Sequence, residues 1–163
     1  TGFEADALPV ELVEQPVAAG DVEGLARVTA AVSVPIMADE AVWSAADAHR
    51  LIEARACDLL NIKLAKTGGL RGAIEVAEAA RRAGIDCMLG AMMEPRISIT
   101  AAAHLALAHP AITMIDLDPP AWFASALPRG GIVQEHGVLR LAGGPGLGLE
   151  LLRPHEDAEG GDR

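Results

Sequence analysis

Short apolar runs alternate along the chain with longer stretches in which apolar residues recur every three or four positions. This is the pattern of strands followed by helices that feeds a parallel sheet. Five such units are traceable. A strand over 10–14 breaks at Pro16, and the spacing then predicts a helix from Asp21 with Leu25, Val28 and Val32 on one face. The second strand, 35–39, leads to a helix capped by Ser44 that presents Ala48, Leu51 and Ile52. The third, 59–63, passes through Thr67-Gly68-Gly69 into an alanine-rich helix stopped by Gly84. A fourth strand over 86–89 is followed by an irregular stretch, 90–95, and a helix over 98–108; the fifth strand is 113–116. After Asp118-Pro119-Pro120 the periodicity fades, 130–141 reads as a hairpin, and residues 152–163 form a mobile tail beyond a domain of residues 1–151.

Polar residues are placed on this pattern in a particular way. Glu14, Asp39, Lys63 and Asp116 each close a strand at its C-terminal end, the end at which α/β barrels assemble their sites. Each of the two acids follows apolar strand residues, so their carboxylates converge at the rim of adjacent strands, where they repel unless a cation separates them. Mg²⁺, a hard ion bound by carboxylate oxygens, suits that place. Taken singly, an acid at a strand end is more often a cap for the next helix. Lys63 projects beside the same place, where a partly desolvated lysine near positive charge can serve as a base; its plainer readings are a solvated lysine or an ion pair with one of the acids. Lys66 is expected to be more exposed and structural.

Composition narrows the classes. Hydrophobic residues make up 51% and aromatics 2% of the chain, as expected of aliphatic helices on buried parallel strands. At 163 residues the chain supports a core, yet falls short of the roughly 250 residues of a whole eight-stranded barrel. A formal charge of −10, without a basic stripe, argues against nucleic acid as a partner. No apolar run reaches the ~18 residues of a membrane span, so no membrane partner is expected. Cys57 and Cys87 lie in apolar stretches without metal-ligand spacing and read as buried, reduced thiols, which suits the cytoplasm. His104 and His109 read as structural or solvated.

The segments Val13-Glu14-Gln15-Pro16, Ala38-Asp39-Glu40 and Asn61-Ile62-Lys63-Leu64-Ala65-Lys66-Thr67-Gly68-Gly69 resemble successive barrel-strand motifs of the muconate-lactonizing subgroup of the enolase superfamily. The separations of 25 and 24 residues between Glu14, Asp39 and Lys63 agree with that family's register. Asp116-Leu117-Asp118 is similar to the aspartate pair that ends the last barrel strand of the dipeptide epimerases within the subgroup, and paired acids suit an ammonium group. Read locally, it is equally an Asp-x-Asp turn opener before two prolines. The stretches Met92-Met93-Glu94-Pro95 and Gly144-Pro145-Gly146-Leu147-Gly148 also resemble the family.

The resemblance implies a fold and an activity. The fold is the C-terminal part of a (β/α)₈ barrel, about five βα units, without the N-terminal capping domain and first barrel units. The activity is Mg²⁺-dependent epimerisation of dipeptides of the L-Ala-D/L-Glu type, by abstraction of the proton α to a carboxylate through an enediolate. Glu14 and Asp39 are then metal ligands, Lys63 the acid/base catalyst, and Asp116 and Asp118 the binders of the substrate's α-amino group. Glu40 and Lys66 are supporting candidates, as are Glu94 and Arg96, the last a candidate contact for a substrate carboxylate. The family's second catalytic lysine, from a Lys-x-Lys motif, and its third metal-binding aspartate have no counterpart in the sequence. The expectation is therefore a chain incomplete for catalysis alone, completed by a missing N-terminal portion or by self-association. Other subgroup activities share the chemistry, namely o-succinylbenzoate synthase, N-succinylamino-acid racemase and muconate cycloisomerase, and a non-catalytic truncated remnant is the alternative outside enzymes.

Overall fold

The structure is a computed structural model and describes residues 9–118 and 128–150. The expected tail of 152–163 and the Pro119-Pro120 break lie outside the described residues.

Five strands form one sheet in sequence order: β1 (Val13–Glu14), β2 (Ile36–Ala38), β3 (Leu59–Lys63), β4 (Asp86–Gly90) and β5 (Ile112–Ile115). Every pairing is parallel. A helix stands between each strand and the next, namely α1 (Val22–Ala31), α2 (Ala45–Glu53), the single turn α3 (Leu64–Thr67) with α4 (Leu70–Ala83), and α5 (Arg96–Ala108). This is the βα succession expected from the sequence, and because the strands are parallel, all their C-terminal ends face one way.

Local chemistry sets the element ends. The Asp21 carboxylate accepts from Gly24 N at 2.7 Å and starts α1. Ser44 Oγ accepts from Asp47 N at 3.2 Å, and Asp47 in turn accepts from Ser44 Oγ and Trp43 N, which fixes the first turn of α2. Gly68 and Gly69, at φ 71° and 104°, reverse the chain between α3 and α4; a side chain at either would be strained. Alanine at 73, 77 and 80 lets α4 lie close on the sheet, and its buried face meets a core of Leu25, Ile36, Leu51, Leu60, Ile62 and Leu89.

Boundaries differ from the reading in places. β1 spans two residues rather than five, because as the first strand of the sheet it pairs, among the described residues, on one side only. The α5 helix begins at Arg96, two residues before the expected start, since Pro95 with φ −69° leads straight into it. Beyond β5 an antiparallel hairpin, β7 (Ile132–Glu135) with β8 (Val138–Leu141), packs on α5, while β6 (Arg129–Gly130) pairs with β9 (Leu149–Glu150).

Candidate active site

Glu14 ends β1, Asp39 follows β2 directly and Lys63 ends β3. These are neighbouring strands, so three residues far apart in sequence share one corner of the sheet's C-terminal edge. The ends of β1 and β2 are zipped by Gln15. Its amide N donates to Met37 O at 2.9 Å, and its side-chain oxygen accepts from Asp39 N and Ala41 N at 2.9 and 3.2 Å. Gln15 has φ 40°, a strained conformation for a residue with a side chain, held by these bonds beside Glu14.

Asp39 is the hub. Lys63 Nζ lies 2.6 Å from its Oδ2, and Lys66 Nζ lies 2.5 Å from its Oδ1 and from its carbonyl oxygen. Lys66 donates its remaining hydrogen to the Asn61 carbonyl at 3.0 Å, so all three ammonium hydrogens are used. The side chains of Lys63 and Lys66 are 15% and 2% exposed, which leaves Lys63 alone within reach of a substrate. Lys66 is therefore not the exposed lysine expected from sequence: the turn of α3 rolls it under Asp39, where the carboxylate compensates its burial. Asn61 Nδ2 donates to Glu14 Oε1 at 2.7 Å.

The charges at this corner act on one another. Partial burial pushes Glu14 above the usual carboxylate range against the opposing bond from Asn61, and the negative charge of Asp39 adds to the rise. Burial would also raise Asp39, but hydrogen bonds from Lys63 and Lys66 outweigh it and hold the carboxyl below its ordinary value. Burial lowers Lys66 despite its bonds to Asp39.

Two carboxylates side by side, with the charge of Asp39 raising the cost of ionising Glu14, form a place for a cation. Mg²⁺ is commonly held by one or two carboxylates and several waters, so Glu14 and Asp39 fit it by donor chemistry. Among the described residues no cluster of three or more acidic, histidine or cysteine side chains with metal-binding geometry occurs.

The remaining candidates are dispersed. Asp116 N donates to Leu89 O at 3.0 Å, which sets Asp116 at the same end of the sheet but four strands from Glu14. Asp116 and Asp118 are exposed, and Asp118 Oδ1 accepts from Gln134 Nε2 at 3.2 Å. Glu40 is exposed beside the hub. Glu94 and Arg96 are both engaged within the fold. The Glu94 carboxylate is buried and spends one oxygen on Met92 N at 3.0 Å and the other on Ser98 Oγ; it holds its own loop on α5. Arg96 Nη1 bonds Ile132 O at 2.7 Å and Gly130 O at 3.4 Å. Its guanidinium thus faces the hairpin backbone.

Asn61 and Gln15 were not singled out by the sequence reading. Asn61 carried a signal, since it is polar within Leu59-Leu60-Asn61-Ile62 and two residues before Lys63, which puts both side chains on one face. Nothing local marks Gln15. Both cysteines are buried and unpaired, and His109 Nε2 lies 3.2 Å from Glu78 Oε1, a structural role as read.

The sequence of the whole chain settles its kinship. A family model described as "Enolase C-terminal domain-like" matches residues 3–155. The chain belongs to that family. Within the enolase C-terminal domain-like proteins it is 49% identical over 148 residues to the L-Ala-D/L-Glu epimerase of Clostridium acetobutylicum, covering 91% of this chain and 41% of that one. Its structure is similar, with a TM-score of 0.88 and 42% identity, to a substrate-liganded complex of the L-Ala-D/L-Glu epimerase from Bacillus subtilis, covering 91% of this chain and 41% of the other. It is also similar to a dipeptide epimerase from Enterococcus faecalis complexed with Mg and L-Leu-L-Tyr, with a TM-score of 0.87, 43% identity and coverage of 92% and 43%. The chain spans about two fifths of the length of these relatives, matching their C-terminal part. The expected fold, a five-stranded parallel portion of an enolase-type barrel domain, is thereby borne out.

Proposed function

We propose that this chain supplies the Lys63 face of an Mg²⁺-dependent dipeptide epimerase. The observation that carries the reading is the juxtaposition of a reachable lysine, Lys63, with Asp39 at 2.6 Å, beside Glu14 at the C-terminal edge of an enolase-type sheet.

Glu14 and Asp39 would hold the metal, which supplies positive charge against the substrate carboxylate as negative charge develops there. Lys63, as its free amine, takes the α-proton: the C–H electron pair moves into the adjacent carboxylate and the proton goes to Nζ. Asp39 then holds the resulting ammonium, as it holds Lys63 now. Epimerisation requires that a proton be returned to the opposite face, and the described residues place no second free lysine there. Asp116 and Asp118, exposed at the same end of the sheet, suit a free α-ammonium. That favours a dipeptide over an N-succinylated substrate, which offers none.

The test is α-proton exchange in D₂O, followed by NMR, with L-Ala-L-Glu and L-Ala-D-Glu, Mg²⁺, and either the native sequence or Lys63→Ala. Exchange that requires Mg²⁺ and vanishes in Lys63→Ala supports the reading. Absence of exchange from a folded sample with every dipeptide tried rejects it and leaves a non-catalytic chain.

A further inference from the structure

Both lysines of this chain converge on one carboxylate. Of its 13 lysine and arginine residues, all but Lys63 and Lys66 are arginine. Lys63 Nζ lies 2.6 Å from Oδ2 of Asp39, and Lys66 Nζ lies 2.5 Å from Oδ1. Each oxygen of Asp39 therefore already carries an ammonium group.

The two lysines are held unequally. Lys66 gives its three hydrogens to Oδ1 and the carbonyl oxygen of Asp39 and to the Asn61 carbonyl, and its side chain is 2% exposed. Moving it would strip a buried charge of its partners, which is strongly unfavourable. Among the described residues, Lys63 Nζ has the single acceptor Asp39 Oδ2, and its side chain is 15% exposed. A change of rotamer exchanges that bond for water. Lys66 is thus the fixed partner of Asp39, and Lys63 is the exchangeable one.

Charge decides what this asymmetry does. Glu14 and Asp39 bring two negative charges and the lysines two positive ones, so with all four ionised the corner is neutral. With Lys63 turned away it carries a net charge of −1, and a divalent ion is drawn to the second arrangement rather than the first. Lys66 need not move, because it sits on the other oxygen of Asp39 and shares its charge with two carbonyl oxygens. Resting on the metal reading above, we infer that Lys63 and the divalent ion oppose one another at Asp39 Oδ2, so that loading the ion loosens Lys63 and turns it toward substrate. Asp39 then does more than bind: it parks the base until the positive charge that stabilises the reaction is in place.

The experiment uses the full 163-residue chain and its Lys63→Met variant, with Mn²⁺ as the bound probe and its free signal read by electron paramagnetic resonance. In parallel, the native chain is acetylated at one fixed pH with and without saturating Mg²⁺. Lys63 and Lys66 are the only lysines in the sequence, so mass spectrometry of the arginine-cleavage peptide 56–71 assigns the label. Lys63→Met should bind Mn²⁺ about tenfold more tightly than the native chain, within the usual range for two ligands coupled at one site. By the same linkage Mg²⁺ should speed acetylation of Lys63 several-fold. Lys66 should stay unlabelled in both conditions, which reports that the corner remains folded. If far-UV circular dichroism shows that Lys63→Met does not fold, the labelling of the native chain decides. Equal Mn²⁺ affinity in two folded chains, or Lys63 labelling that Mg²⁺ leaves unchanged or slows, overturns the inference and leaves the metal reading standing. Failure of the folded chains to bind Mn²⁺ overturns both.

Discussion

Arg96 Nη1 lies 2.7 Å from the carbonyl oxygen of Ile132, 36 residues further along the chain. The first residue of α5 thereby clamps the β7–β8 hairpin, and the buried Ile132 side chain joins the core beneath it. Arg96 Nε is buried without a partner, so this clamp depends on the bonds from Nη1.

Replacing Arg96 by Met keeps much of the aliphatic stem and removes the donors. The Ile132 carbonyl is then left unpaired in a part-buried place, which costs about 1–3 kcal/mol. The variant should unfold at lower urea concentration, and limited proteolysis should cut within the hairpin before the five-stranded sheet. Cleavage that begins in the sheet instead would refute the assigned role.

Leu60 and Leu107 test where the core sits. Leu60 is fully buried on β3, whereas Leu107 on α5 is 78% exposed. Leu60→Ala should lower stability by about 3 kcal/mol, the usual cost of a cavity in a packed core. Leu107→Ala should stay within about 0.5 kcal/mol of the native chain. Urea denaturation of the two variants side by side measures both, and equal losses would contradict the placement of these residues.

Cys57 and Cys87 are pushed up by burial, from an ordinary 9.0 to about 12, with Asp58 and Asp86 respectively adding to the effect. A thiol with a raised folded-state pKa contributes its full stability below pH 9 and loses it as the pH climbs toward 12, because the unfolded chain ionises first. Each thiol should therefore steepen the alkaline loss of stability by up to about 1.4 kcal/mol per pH unit. The measurement is the difference in slope between the native chain and a Cys57→Ala, Cys87→Ala double variant across pH 9–12. Alkylation by iodoacetamide at pH 8 should be slow in the folded chain and fast in urea, and prompt modification of the folded protein would argue against burial.

Much of the architecture was legible because it rests on local rules. β3 runs 59–63 as read, Ser44 and Asp21 start their helices, and Gly84 at φ 71° stops α4. Each follows from hydrophobic period, side-chain caps or the conformational freedom of glycine, none of which requires a distant partner. β1 is shorter than its apolar run because strand length depends on pairing, and among the described residues β1 pairs with β2 alone.

The site divides along the same line. Sequence by itself determined the family, the order of the strands, and that Glu14, Asp39, Lys63 and Asp116 stand at strand ends, since motif spacing and period are properties of the chain read in order. Only the tertiary structure decided what those residues touch. It buried Lys66 beneath Asp39, turned Arg96 onto the hairpin, and brought Asn61 against Glu14 across the intervening β2 strand. The physical reason is that long polar side chains have many rotamers of nearly equal energy along an isolated strand or helix. The choice among them is made by the partners that desolvation obliges each buried charge or amide to find, and those partners come from other strands.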